Sequence, residues 1–283
     1  VMHCEINASL SEIAKHNYIQ LKVSNVQCIV GDGIVNLQKN NSFYDCIYVD
    51  PSRRHNTKGK VFYLNDCVPN IPDYLDLLLA KAKTVLIKTS PMLDLSAGIK
   101  DLRCVKEIHV VAVNNDVKEL LFLLHRNLSA AIQVKTINFT KTKAQLFDFI
   151  QSDEKFPPSL SLPKRYLYES NRAIIKSGAF NAVSTQLQIN KLHINSHLYT
   201  SEHCVTFPGR TFLIDKIVPY HKKTILKEGI LKANITTRNF PLSVHELRQK
   251  FHIKDGGDCY LFFTTTIHNQ KIMIKTKQLM NPS

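Results

Sequence analysis

Tyr44-Asp45-Cys46-Ile47-Tyr48-Val49-Asp50-Pro51-Ser52-Arg53-Arg54 runs from a short apolar strand straight into a carboxylate, a proline and two guanidinium groups. Tyr, Ile and Val suit a pleated, buried surface, and six residues is strand length. Pro51 then ends the strand, because proline fixes φ and has no N–H to give to a ladder. Similar apolar segments lie at 1–6, 26–30, 84–89, 105–113 and 131–139, with helical patterns between several of them. Ser9-x-x-Glu12 is a capping box that opens a helix to about Lys22, and Pro72 starts a second carrying Tyr74, Leu75, Leu78 and Leu79. Glu119–Leu124 reads as part of a third. Continuous apolar strands separated by helices predict a doubly wound α/β domain over residues 1–150, its parallel sheet covered on both faces.

The alternation breaks at 151–165, where Ser, Asp, Glu and the prolines Pro157, Pro158 and Pro163 predict a linker. Beyond it a helical stretch is expected from about Glu169 to Gln186, then strands at 191–198 and 211–218. A helix near 222–228 and a strand at 232–237 follow. Ser243-x-x-Glu246 caps another helix, and strands at 259–267 and 271–277 join through the polar turn His268-Asn269-Gln270. Strands and helices without strict alternation predict small α+β units, ferredoxin-like in kind.

Charge separates the two halves. The net charge is +14. Residues 1–150 hold 18 Lys+Arg against 14 Asp+Glu, a net +4, whereas 151–283 hold 19 against 9, a net +10. That asymmetry points to a polyanion partner, nucleic acid before membrane. No apolar run approaches the length of a membrane span and no signal peptide is visible, so a cytoplasmic location is expected. The seven cysteines form no C-x-x-C pair and read as reduced thiols. His193 and His197 lie four apart in a strand-like segment, about 13 Å from one another, so no metal is expected there.

In a doubly wound sheet, ligands bind at the carboxyl ends of the strands. Four strand ends carry candidate groups. Glu5 offers a carboxylate able to accept ribose hydroxyls of a nucleoside. Gly31-Asp32-Gly33 offers another, suited to an adenine amino group, between glycines that allow close backbone approach. Asp50-Pro51 offers a carboxylate that can orient or deprotonate a nucleophile, with Arg53 and Arg54 able to hold phosphate oxygens. Lys88, in Lys88-Thr89-Ser90-Pro91, can line the same pocket or only extend to solvent.

The order of Glu5, Asp32 and Asp50-Pro51 resembles the successive strand ends of class I methyltransferases that use S-adenosyl-L-methionine (SAM). IYVDPSRRHNTKGKVF, DCVPNIPDYLDLLL, VLIKTSPMLDL and VKEIHVVAVNNDVKELL resemble a bacterial branch of these enzymes with a C-terminal THUMP-like domain. YLYESNRAIIKSGAFN is similar to that family's small ferredoxin-like domain. ILKANITTRNFPLSVHELRQKFHIKDGGDCYLFFTTT is similar to its THUMP-like domain. The resemblance implies a Rossmann-like methyltransferase domain over 1–150, a linker over 151–165, a ferredoxin-like domain over 166–210 and a THUMP-like domain over 211–283.

It further implies that Glu5, Asp32 and Gly33 contact SAM, that Asp50 and Pro51 face the methyl acceptor, and that the acceptor is RNA. Arg53, Arg54, Lys88, Lys232, Arg238 and Lys254 are the expected RNA contacts, joined in the tail by Arg248 and Lys250, with Phe240 as a base-stacking ring. Ser52 and Arg53 stand where amino-group methyltransferases carry a proline and an aromatic, so stacking on the target base is expected from Tyr63 or Phe62. The family's glycine-rich SAM loop and its strand would precede Glu5, and neither is present in the sequence. Weak or no SAM binding by residues 1–283 is therefore expected, with perturbed packing between 1–6 and 44–49. The other reading left open is an RNA-binding protein whose methyltransferase fold is inactive.

Overall fold

The computed structural model describes residues 1–53, 63–127 and 130–279, with the side chain of Arg53 also outside the description. The chain forms two compact units. The first comprises residues 1–108 and 120–130, the second 109–119 and 131–283.

The first unit opens with β1 (Met2–Glu5), α1 (Ala8–Gln20), β2 (Gln27–Val30), α2 (Gly33–Lys39) and β3 (Tyr44–Val49). Two short strands, β4 (Ser52–Arg53) and β5 (Cys67–Val68), precede α3 (Ile71–Lys81), β6 (Ala82–Thr89) and α4 (Leu95–Asp101). β7 (Val105–Val113) and β8 (Asp116–His125) leave this unit and return to it. β1 and β2 run parallel in a sheet of their own, and β3 pairs parallel with β6, which pairs antiparallel with β8. Among the described residues β1 and β3 do not share a sheet, although the Tyr44 hydroxyl meets Met2 Sδ at 3.7 Å. Exposure differs along the strands: Val30 is 53% and Tyr48 56% accessible, whereas Val85, Ile87, Phe122 and Leu124 on β6 and β8 are fully buried.

Local chemistry explains where these elements start. α1 begins not at Ser9 but one residue after Asn7, whose side-chain oxygen accepts from the N–H groups of Ser9 and Leu10. Asp32 caps α2 and Asp94 caps α4 in the same way. Pro72 lies in the first turn of α3, where its missing N–H costs nothing. The expected helix through Glu119–Leu124 is strand β8. Asn114 and Asn115 adopt φ of 50° and 63°, the left-handed pair that turns a two-residue hairpin. β7 is thus followed directly by an antiparallel partner, and a leucine-rich run becomes a buried strand. The sheet is mixed rather than wholly parallel.

The second unit continues with β9 (Gln133–Phe139), β10 (Ala144–Ile150), β11 (Tyr166–Ser170), α5 (Arg172–Ser177), α6 (Phe180–Gln186), β12 (Asn190–Lys191) and β13 (Leu198–Ser201). β14 (Gly209–Pro219), α7 (Lys222–Lys227), β15 (Lys232–Thr237), α8 (Val244–Phe251), β16 (Lys254–Thr265) and β17 (Lys271–Leu279) complete it. β9 and β10 form an antiparallel pair, and seven strands form one sheet in the order β12-β13-β11-β14-β17-β16-β15. The expected helix from Glu169 begins instead as β11, because Tyr166–Ser170 pairs on both edges, and only Asn171 starts a helix by capping Ile174. The expected strand at 191–198 shrinks to two residues of β12, a turn and β13. The expected linker contains a 3-10 turn over Gln151–Lys155 whose Glu154 carboxylate accepts from the N–H groups of Asn181 and Ala182 at the start of α6.

Alternation across the seven-stranded sheet sets two cores. Leu261, Phe263, Met273 and Val218 face α7 and α8, meeting Ile225, Leu247 and Phe251. Phe262, Ile272, Ile274, Phe212 and Leu167 line the opposite face with Leu192 and Leu198. The capping box at Ser243 forms as expected, with Glu246 returning to the Ser243 N–H at 2.7 Å. No helix among the described residues is long and apolar enough to cross a membrane.

Candidate functional site

Parallel pairing brings strand ends together, and this assembles the candidate groups of the first unit into two pairs. In the first pair, β1 and β2 align Glu5 with Val30, and the Gly31 N–H donates to the Glu5 carbonyl at 2.9 Å. Asp32 follows at once as the α2 cap, accepting from Ile34 N–H at 2.8 Å, and Glu5 Oε1 accepts from Asn7 N–H at 2.7 Å. Each carboxylate thus uses one oxygen locally, which fixes its direction. Cys4 lies near Asp32, its thiol pushed up by burial and by the Asp32 charge. Gly31 has φ 149°, a conformation L side chains rarely adopt. At Gly33 a Cβ would meet Cys4 Cβ at 3.4 Å, ordinary contact, so packing there does not demand glycine.

In the second pair, Val49 of β3 stands opposite Ile87 of β6, so the next residues, Asp50 and Lys88, emerge side by side. Lys88 Nζ lies 2.8 Å from Asp50 Oδ2, with side chains 28% and 49% exposed. Pro51 behind them is buried. Ser52 and Arg53 then turn into β4, pairing with Val68 and Cys67. The Asp50 carboxylate is therefore paired with a cation, while about half of its side chain remains exposed. Tyr63 is 49% exposed. Arg54 and Phe62 lie outside the described residues, as does the side chain of Arg53.

The expected RNA contacts of the tail divide into two kinds. Lys232 and Lys254 are exposed register partners at the start of β15 and β16. Lys250 is also exposed. Arg238 is committed inward: its Nη2 donates to Glu169 Oε1 at 2.8 Å. Arg248 is tied to Asp255 and to the carbonyls of Ala233 and Ile253. Phe240 is half-buried, edge-on to Tyr220 with centroids 4.9 Å apart and packed against Phe263.

Sequence reasoning missed a polar network in this unit. Glu169 is only 5% exposed and is held by both Arg210 and Arg238. Its signal was an acid inside the apolar β11 segment, a residue that stays buried only when paired. Nearby, the Lys191 amine, on a residue 1% exposed, donates to the Ile194 carbonyl at 2.9 Å. His197 stacks on Phe180 at 3.7 Å, and burial together with the Lys191 and Arg238 charges lowers its pKa to about 4. His193 Nδ1 meets the Asn239 amide at 2.9 Å. Among the described residues no three His, Cys, Asp or Glu side chains gather as a metal site.

With this geometry in view, known proteins bear on it. Residues 166–208 match a ferredoxin-like domain family, and residues 209–278 match a THUMP domain-like family. A crystal structure from Porphyromonas gingivalis W83, described as a "putative methyltransferase", is 33% identical over 99% of this chain and 71% of its own, with a TM-score of 0.86. No curated protein matches the chain.

Proposed function

This chain belongs to the methyltransferase family that carries a C-terminal THUMP-like domain, and from that premise we propose that it serves methyl transfer from SAM to RNA. The observation that carries the reading is the Asp50–Lys88 pair at 2.8 Å, at the ends of neighbouring parallel strands and ahead of a buried proline. The two carboxylates of the other strand ends fit SAM. Glu5 and Asp32 each keep one oxygen free of the local bonds named above, and hydroxyl and amino hydrogens are what such oxygens accept. Glu5 would hold the ribose, Asp32 the adenine, and Gly33 the wall beside them.

SAM, when bound, supplies an electrophilic methyl group. The chain's own part is to place the acceptor and manage its proton. Asp50 accepts a hydrogen bond from the acceptor atom, or its proton if the atom loses one, and so orients a lone pair for in-line attack. Lys88 acts through Asp50 as a positioning residue: its ammonium fixes the carboxylate's direction. Pro51 sets the chain course so that this carboxylate faces out of the strand.

The RNA part of the proposal is supported by the THUMP-like match and by the net +10 of residues 151–283. The deciding experiment is mass spectrometry of RNA nucleosides from cells with the gene, without it, and with Asp50→Asn in its place. Loss of one methylated nucleoside in the second and third samples is expected. An unchanged nucleoside profile would leave an RNA-binding protein without methyl transfer.

A further inference from the structure

Resting on the reading of an RNA methyltransferase, we propose that the α7–α8 face is a platform for the phosphate backbone of a folded RNA, gripped without stacking on bases. The region matched to the THUMP-like family has 13 Lys+Arg and 5 Asp+Glu. Four of those acids are already engaged: Asp215 with Lys275, Glu228 with Lys216, Asp255 with Arg248, and Glu246 in its capping box. Arg210 and Arg238 are drawn to Glu169. The charge left without an acidic partner falls largely on Lys222, Lys223, Lys227, Lys232, Lys250 and Lys254, all exposed.

The topology collects these six. α7 and α8 cover the same sheet face, sharing one core through Ile225, Leu247 and Phe251. Each leads within a few residues into a strand, and those strands, β15 and β16, run parallel, so their starts lie together. Lys232 and Lys254 are direct register partners there, and Lys254 N–H donates to the Leu231 carbonyl at 2.9 Å. Lys250 Nζ bonds the Tyr220 hydroxyl at 2.9 Å, which brings the end of α8 to the entrance of α7 and its Lys222 and Lys223.

Aromatics decide what kind of nucleic-acid contact this is. Half-buried Tyr220 and Phe240 pack on buried Phe251 and Phe263. A single-strand platform needs exposed rings on which bases stack, and none of these four is an exposed ring. Lysine ammonium groups are point charges that neutralise phosphates without reading sequence. The partner that fits is a helical or compactly folded RNA with closely spaced phosphates.

The test uses the full chain and fluorescence anisotropy of a labelled hairpin RNA across a KCl series. Replacing Lys222, Lys223 and Lys227 together with Gln should weaken binding at least tenfold and flatten the log–log salt slope by about 2, given roughly 0.7–0.9 per phosphate contact. The same charge loss at Lys15, Lys22 and Lys39 of the first unit should leave affinity and slope unchanged. Equal losses in both triple variants, or none in the first, would overturn the assignment while wild-type binding stood. Tighter binding of an unstructured oligonucleotide than of the hairpin would also overturn it. Wild-type failure to bind any RNA, or capture by phosphatidylserine vesicles in its place, would remove the parent reading too.

Discussion

Asp50 and Lys88 each have an ordinary role open to them, a turn carboxylate and a lysine extended to water, and their 2.8 Å approach makes one device of the two. Asp50→Asn keeps the shape and removes the charge that accepts a proton or a strong hydrogen bond. We expect the methylated nucleoside in cells carrying the variant gene to fall by roughly 10²–10⁴-fold, the usual share of a positioned acid or base, with the chain's RNA affinity unchanged by fluorescence anisotropy. Lys88→Met, which keeps the stem and loses the ammonium, should lower kcat by about tenfold and leave KM for RNA little altered, because the lysine acts through Asp50. A rise in KM with kcat intact would instead mark Lys88 as a direct RNA contact. The strand end at Asp50 and Pro51 was readable because an apolar strand pattern stops there. The role of Lys88 was not, since 38 residues separate it from Asp50 and only strand register joins them.

Among the elements, those with explicit terminal chemistry were legible. The Ser243 capping box, the proline at the start of α3 and the β16–β17 turn at His268-Asn269-Gln270 all stand where local spacing put them. Runs that were only apolar were not: Glu119–Leu124 has no period that separates a buried helix from a buried strand, and the Asn114-Asn115 hairpin decided it. The close contact of β11 with β14 was equally hidden. A Cβ on Gly209 would lie 2.2 Å from the Glu169 carbonyl oxygen, 2.8 Å from the Phe207 ring and 3.0 Å from the Asn171 nitrogen. Gly209→Ala must therefore separate paired backbones and should cost about 3 kcal/mol or prevent folding. Gly178→Ala, where φ is 75° and the space is open, should cost only about 1 kcal/mol. Urea unfolding of the two variants measures the contrast.

For the whole molecule, acid is the informative stress. His197 is neutral in the folded chain down to about pH 4, because burial and the facing Lys191 and Arg238 charges oppose its protonation, while Glu154 acts on Lys191 from the other side. The unfolded chain takes up that proton near pH 6.5. Stability should therefore decline as pH falls from about 6.5 to 4, by about 1–2 kcal/mol once partial solvent screening is allowed for. His197→Gln should remove that part of the decline in urea melts at pH 7.5 and 4.5; an identical decline would show that other groups carry it. By itself the sequence determined the α/β character of the first half, the capped helices of the tail, the Asp-Pro strand end and the concentration of positive charge after residue 150. These are written in neighbouring residues and in composition. Only the tertiary structure decided that Lys88 meets Asp50, that β8 is a strand, that Arg238 pairs with buried Glu169, that Phe240 packs against Phe263, and that Lys232 and Lys254 are register partners. Each of those depends on which strands pair and in what register, a choice made by burying apolar surface across the whole unit, which no local spacing encodes.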